Sequence, residues 1–384
     1  MLQRDHNINS ATVQSPPPAP AKALIEVART SAHGLSDLIM TARRKNPLRD
    51  LLLVSRVLGK HLPATPDVMK AAAQDLAGQI RQRITGDPVS VVALAETATG
   101  LGHLVAEALG AETYLHTTRR PSWRPTRHVL EPHSHAPDHA LDLASIAELT
   151  DQVVLVDDEI STGTTMKALA QAVTIDRRAS VTFAALVALE QPNGLDVAAI
   201  SRYQVVERAS DVRSTSGAIP RGQDRIRTRP NDARPSASLQ RISSIRSNAS
   251  ETFRPSDREV LRSALTEIAG DLFDKLTGHQ VLCVGAEEEI YPAYVVAQSL
   301  SARGLETWVQ SSTRSPIVAA ETVGYPIQSV IEVHGFDPVS RTYLYGIIES
   351  IATDIVIVAS SAICSLLAGD IARVSSAAVH EVRL

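Results

Sequence analysis

Between residues 88 and 190 the apolar positions gather into short runs: PVSVVALAE (88–96), AETYLHTT (111–118), DQVVLVDD (151–158) and VTFAALVALE (181–190). Each predicts a strand, and YQVVE (203–207) is a candidate for a fifth. LGHLVAEALG and TMKALAQAV follow the first and third runs with apolar residues recurring at three and four, which predicts helices. Strands with few polar positions, alternating with helices, predict an α/β fold with a parallel sheet covered on both faces. Upstream, residues 67–85 read as an amphipathic helix and residues 23–42 carry a mixed helical spacing. LLLVS (51–55), after the Asn46–Pro47 break, fits a short strand or a helix turn.

The pattern changes at residues 209–256, where Ser, Arg and Pro dominate and large apolar residues are few. That stretch reads as a basic, solvated linker, with contact to a nucleic acid or another acidic partner as the alternative. From residue 257 a second α/β unit begins, and it echoes the first. VVALAETATGLGHLVAEAL resembles VLCVGAEEEIYPAYVVAQSL, YLHTTRRPSW resembles WVQSSTRSPI, and VVLVDDEISTGTTMKALA resembles IVIVASSAICSLLAGDIA. The order is preserved, so two related α/β domains are expected. Ala359, Ser360 and Ser361 stand where the first copy has an acidic pair, so the second copy has lost that acidic chemistry.

A length of 384 residues suits this division. The expected layout is a disordered, proline-rich lead-in at 1–22, a first domain at 23–208, the linker at 209–256 and a second domain at 257–384. A net charge of -4 argues against the whole protein being a nucleic-acid binder. No run of about 18 apolar residues occurs, so no membrane span is expected. Cys283 and Cys364 both sit inside apolar runs, which predicts buried thiols and a reducing, cytoplasmic setting.

The stretch VVLVDDEISTGTT (153–165) carries the chemistry. In a parallel sheet, ligands sit beyond the carboxyl ends of the strands. Asp157 and Asp158 therefore emerge at that edge, and Ser161, Thr162, Gly163, Thr164 and Thr165 turn into a helix whose N-terminus favours an anion. A phosphate cradle beside two carboxylates fits a ribose 5-phosphate, with hydroxyls on the acids and phosphate in the loop. A Walker A loop is excluded because no Gly-Lys precedes the Ser/Thr. A response-regulator receiver would need a strand-end Asp about forty residues later, where VVERASD offers only Glu207 and Asp211.

With its apolar strand, acidic pair and Thr/Gly loop, this motif resembles the phosphoribosyl-pyrophosphate motif of type I phosphoribosyltransferases. The resemblance extends over about 43–208, because AETATGLG (95–102) stands where that family has its pyrophosphate loop. It implies that Asp157 and Asp158 hold the ribose hydroxyls and that Ser161 to Thr165 hold the 5-phosphate. It also implies that Glu96, Thr97, Ala98, Thr99 and Gly100 meet the pyrophosphate. A two-domain subgroup, often encoded with tellurium-resistance genes, is closer still: its C-terminal domain is named for a Thr-Arg-Ser-Pro signature, here Thr313, Arg314, Ser315 and Pro316. NPLRDLLLVSRVLGKHLP, TTRR and HSHA also look like that subgroup. The implied activity is cytoplasmic transfer of ribose 5-phosphate from phosphoribosyl pyrophosphate to a small heterocyclic base, a step of nucleotide biosynthesis. It would use Mg2+ held mainly by the substrate, in a homodimer.

The segment TTRRPSWRPTRHVLEPHSHAPDH (117–139) supplies cations for the leaving group: Arg119 and Arg120 are expected on pyrophosphate, with His133 or His135 as general acid or donor. HSHA followed by His139 also allows a metal site. Glu190, Gln191 and Asn193 follow the fourth strand, where relatives touch the acceptor base. In the second domain, Glu288, Tyr291, Thr313, Arg314 and Ser315 outline a candidate pocket, or an ordinary surface ion pair. Asp337, Tyr343 and Tyr345 are candidates to line it. The rival reading is a non-catalytic phosphoribosyl-pyrophosphate sensor that contacts nucleic acid through the linker.

Overall fold

The computed structural model describes residues 22–44, 51–86, 88–120, 124–130, 138–207, 239–241 and 252–384. Nearly all of the expected lead-in, most of the expected linker, and Trp123, His133 and His135 lie outside the described residues.

The first unit runs β1 (Lys22–Arg29), α1 (Leu35–Leu38), β2 (Ile39–Arg43), β3 (Leu51–Ser55), α2 (Pro66–Arg81), β4 (Val89–Ala93), α3 (Thr99–Leu109) and β5 (Thr113–His116). It continues with β6 (Thr126–Leu130), β7 (Asp138–Asp142), α4 (Leu143–Ala147), β8 (Gln152–Ile160), α5 (Thr164–Thr174), β9 (Ser180–Leu189) and β10 (Val197–Glu207). The second unit runs β11 (Leu239–Arg241), α6 (Pro255–Phe273), β12 (Gln280–Gly285), α7 (Ile290–Ser301) and β13 (Glu306–Ser311). Then come β14 (Val330–Val333), β15 (Thr342–Tyr345), β16 (Asp354–Ala359), α8 (Ser361–Ala372) and β17 (Ala378–Arg383).

The first sheet has the order β1-β10-β9-β8-β4-β5, parallel except for β1, and the second has the order β11-β17-β16-β12-β13, parallel throughout. The stretch β13-β12-β16-β17 therefore repeats β5-β4-β8-β9, and the hairpin β14–β15 takes the place of β6–β7. Every residue of β4 and of β16 is buried, which is what strands covered on both faces require. On α2 the buried residues Met69, Ala72, Ala73, Leu76 and Ile80 recur at three and four, and α3 stops at Gly110 in the left-handed region (φ 69). One buried apolar cluster crosses both units, taking Leu76, Leu101 and Val105 from the first and Leu265, Ile290 and Tyr294 from the second.

Three departures from the sequence reading matter. Residues 23–42 are mostly strand: β1 pairs antiparallel with β10 at the sheet edge, where its outward Ile25 and Val27 stay exposed and blur the two-residue alternation. The expected linker holds β11 on the edge of the second sheet. It also holds Phe253, which exchanges backbone hydrogen bonds with Tyr114 of β5 at 2.7 and 2.8 Å just ahead of α6. The β2–β3 hairpin is a separate two-stranded sheet and shares a cluster with the second unit, Ala42 and Val54 packing with Ile317, Tyr325 and Tyr345. Among the described residues no helix is long and apolar enough to cross a membrane.

Candidate active site

Strand β8 does not end at its apolar run but continues through Asp157, Asp158 and Glu159. Val153 to Val156 are buried, and the three acids that follow are half-buried as the strand leaves the core. Asp158 N donates to Asp157 Oδ1 at 2.9 Å, and the Tyr203 hydroxyl donates to Glu159. The chain then turns through Gly163 (φ 77) into α5. A Cβ at Gly163 would lie 2.3 Å from Leu195 Cδ1, so both the backbone and the space favour glycine there. The Thr162 and Thr164 hydroxyls are exposed and 3.1 Å apart. First-turn N–H groups of a helix have no partner within it and carry its positive end. Carboxylates and an anion-friendly helix start thus stand side by side.

The turn between β4 and α3 lies on the same sheet edge, since β4 neighbours β8 and Leu94 N donates to Val156 O at 2.9 Å. Its residues are less open than an anion loop needs. Glu96, Ala98, Thr99 and Gly100 are buried and only Thr97 is half-buried. The Ala95–Glu96 peptide is cis. The Glu96 carboxylate turns away from β8: Lys60 Nζ lies 3.2 Å from Oε2, Arg314 N donates to Oε2 at 3.2 Å, and Arg314 Nε lies 3.7 Å from Oε1. Burial alone would raise the Glu96 pKa, but Lys60, then Arg119 and Arg314, hold it down to about 2. Gly100 is explained by packing, because a Cβ there would lie 2.8 Å from Ile290 Cγ2 of α7.

After β5, Arg119 and Arg120 also face the second unit. Arg119 N donates to Glu288 Oε1 at 3.0 Å, and its guanidinium lies 3.0 Å from His139 Nε2. Arg120 Nε sits 3.2 Å from Glu288 Oε2, its Nη1 sits 3.3 Å from Glu289 Oε1, and its Cζ lies 3.4 Å over the Phe336 ring. His139 is buried on β7 with Nδ1 3.1 Å from the Thr117 hydroxyl. Among the described residues no group of three or more His, Cys, Asp or Glu is arranged to hold a metal. Beyond β9, Lys167 of α5 donates to Asn193 O at 3.1 Å, which ties the 190–193 turn, exposed except at Pro192, to the helix that carries the Ser/Thr loop.

Sequence comparison bears on both halves. A family described as phosphoribosyl transferase matches residues 38–216, and one described as the TRSP domain C-terminal to it matches residues 252–368. The chain belongs to the two-domain phosphoribosyl transferase–TRSP family. No curated protein matches it significantly. Similar solved structures include adenine phosphoribosyl transferase from Trypanosoma brucei in complex with AMP, pyrophosphate and ribose-5-phosphate (17% identity, 41% of this chain and 67% of that one, TM-score 0.32). The enzymes from Rhodothermus marinus (20%, 44% and 96%, 0.35) and Giardia lamblia (17%, 43% and 93%, 0.34) are similar to the same extent. These identities and scores concern the fold of under half the chain and carry no substrate.

The TRSP signature lies in the seam between the two domains, not on a free surface. Thr313 exchanges backbone bonds with Tyr343, its hydroxyl accepts from Ser315 N at 3.2 Å, and Arg314 is buried. Glu288 accepts from the Thr118 hydroxyl at 2.8 Å. Tyr291 stacks on His103 of the phosphoribosyl transferase domain with centroids 4.1 Å apart, and its hydroxyl donates to Glu107. Lys60 was not singled out from the sequence, yet it is buried here beside the buried Glu287 and Glu289. Lys60 Nζ donates to Glu287 O at 2.8 Å and Ser312 O at 3.0 Å. The signal for Lys60 was the Gly59-Lys60 pair: Gly59 has φ 64, and a Cβ on it would lie 2.8 Å from Val309 O of β13.

Proposed function

We propose that the chain transfers ribose 5-phosphate from phosphoribosyl pyrophosphate to a nitrogenous base. The carrying observation is the half-buried pair Asp157 and Asp158 at the end of β8, directly before a Ser/Thr/Gly turn into α5. In this reading the two carboxylates accept from the ribose 2- and 3-hydroxyls and stabilise positive charge as the anomeric C–O bond to pyrophosphate breaks. Residues 161–165 hold the 5-phosphate and fix the sugar for in-line attack. A ring nitrogen of the base forms the new C–N bond as the C–O bond to pyrophosphate breaks, and its proton passes to the departing pyrophosphate. Arg119 follows β5, two strands from β8, and is the cation we assign to the leaving group, since Arg120 is engaged by Glu288 and Glu289; the 190–193 turn offers polar groups to the base.

Asp157 and Asp158 are hard oxygen donors of the type Mg2+ takes, so the donor set suits a cation shared with substrate oxygens. When bound, Mg2+ would supply charge neutralisation on the pyrophosphate.

Pyrophosphate release from phosphoribosyl pyrophosphate and Mg2+, across a panel of purines, pyrimidines and small heterocycles, tests the reading. Release should depend on one base and fall to background in Asp157→Asn/Asp158→Asn. Unchanged release in that variant would move the site elsewhere.

A further inference from the structure

Equivalent residues of the two domains meet across the seam. The strand registers align Glu96 with Glu288 and Arg119 with Arg314: Ala93 pairs with His116 as Gly285 pairs with Ser311, and Thr118 bridges Ala140 as Thr313 bridges Tyr343. The Arg119 N–H of the first copy donates to Glu288 Oε1 of the second at 3.0 Å, and the Arg314 N–H of the second donates to Glu96 Oε2 of the first at 3.2 Å. Helices α3 and α7, also equivalent, touch at Gly100 and Ile290. Matching faces meeting reciprocally is the arrangement of a two-fold dimer interface, here within one chain.

Arg314 is the hub. Its backbone N–H and Nε face Glu96, its Nη1 donates to Arg119 O at 3.4 Å, and its Nη2 donates to Glu287 Oε2 at 3.0 Å. One guanidinium thereby joins the β4–α3 turn, the end of β5 and the end of β12. The planar fork of arginine suits this, and a lysine ammonium cannot span it. The second domain meanwhile has no open anion cradle at the matching place: the N-terminus of α8 is occupied by Glu289, whose carboxylate accepts from Ser360 N at 2.9 Å.

We propose that the TRSP domain acts as a built-in partner subunit, with Arg314 as a positioning residue that sets the pyrophosphate-side turn (95–100) of the first domain through Glu96. The proposal rests on the phosphoribosyl transfer reading for its ligand. The second copy gave up an open phosphate site and kept the half of a dimer interface that shapes its neighbour's.

The test uses the full chain and three variants: Arg314→Lys, Glu96→Gln, and Glu107→Gln, which loosens the seam at Tyr291 and Arg262 without touching the turn. Amide hydrogen exchange over residues 95–100 should speed up in the first two and stay at the wild-type rate in Glu107→Gln. Calorimetric affinity for phosphoribosyl pyrophosphate should weaken roughly tenfold in the first two alone, while KM for the base holds. Unaltered exchange at 95–100 in both Arg314→Lys and Glu96→Gln overturns the positioning role. Equal losses in Glu107→Gln also overturn it, since any loosening of the seam would then suffice. Glu96→Gln keeps the test open if Arg314→Lys fails to fold. A wild-type chain that binds no phosphoribosyl pyrophosphate overturns the functional reading instead, and the exchange data still decide whether Arg314 sets the turn.

Discussion

The ends of β8 and β16 occupy the same place in two equivalent sheets, and they have opposite contents. At β8, half-buried carboxylates lead into a left-handed glycine and exposed threonines. At β16, buried Ala359 leads into Ser360, whose N–H and hydroxyl are both taken by Glu289. A helix start in a parallel sheet draws an anion in both cases. In our reading the first copy keeps this position for a ligand phosphate, and the second fills it with its own carboxylate and ties that carboxylate to Arg120 of its neighbour. On that reading, one repeated frame yields one ligand site and one internal brace. If so, damage to the first should cost chemistry and damage to the second should cost stability.

The largest expected effect is on the brace. Lys60 is fully buried, and burial lowers its pKa against the opposing pull of Glu96. Lys60→Met would leave Glu96 short of its nearest cation, and breaking a buried pair from one side costs about 3–5 kcal/mol. Scanning calorimetry should show a midpoint lowered by roughly 6–20 °C. The Asp157→Asn/Asp158→Asn chain should melt closer to wild type, because its carboxylates are only half-buried and asparagine keeps their shape. A Lys60→Met chain that melts with wild type would mean that the seam charges do not join the domains.

The strands β4, β8, β9 and β16 and the helices behind them were legible because unbroken apolar runs and helical spacing report burial directly. The acidic pair and the Ser/Thr/Gly loop were legible because their chemistry is local, within nine residues of one strand-to-helix turn (157–165). The seam was not. Glu96, Arg120 and Arg314 are polar, so hydrophobic periodicity passes over them, and their partners lie in another domain. Gly100 looked like a phosphate-loop glycine, and only the position of Ile290 explains it. The internal echo held part of the missing information: the strand registers place Glu96 with Glu288 and Arg119 with Arg314, the residues that meet reciprocally.

The next effect separates two carboxylates within the brace. Glu96 is held down to about 2, below its ordinary value of 4.5, by Lys60, Arg119 and Arg314 acting against burial. Its contribution to stability is therefore complete above pH 4.5 and is lost as the pH falls through about 2. Glu287 is pushed up by burial and by the charge of Glu96, so its protonation on acidification favours the folded state and offsets part of that loss. The advantage of wild type over Glu96→Gln in unfolding midpoint should accordingly shrink between about pH 5 and pH 2. A constant gap across that range would show that Glu96 acts through shape and not through charge.

The smallest effects compare the two helix starts position for position. Gly163 and Ser360 are the N-cap residues of α5 and α8. Gly163→Ala forces a side chain onto φ 77 and against Leu195, at a cost of about 1 kcal/mol, since only the flexible tip of Leu195 has to yield. Ser360→Ala removes one hydroxyl bond to Glu289 but keeps the backbone N–H bond, again about 1 kcal/mol. Equal stability losses make the pair informative. Gly163→Ala should weaken phosphoribosyl pyrophosphate binding, because the N–H groups around its loop move with the backbone. Ser360→Ala should leave binding and pyrophosphate release at wild-type values, because the anion at that helix is supplied from within. Binding lost in Ser360→Ala and kept in Gly163→Ala would reverse the assignment of the two copies and make the second strand end the ligand site.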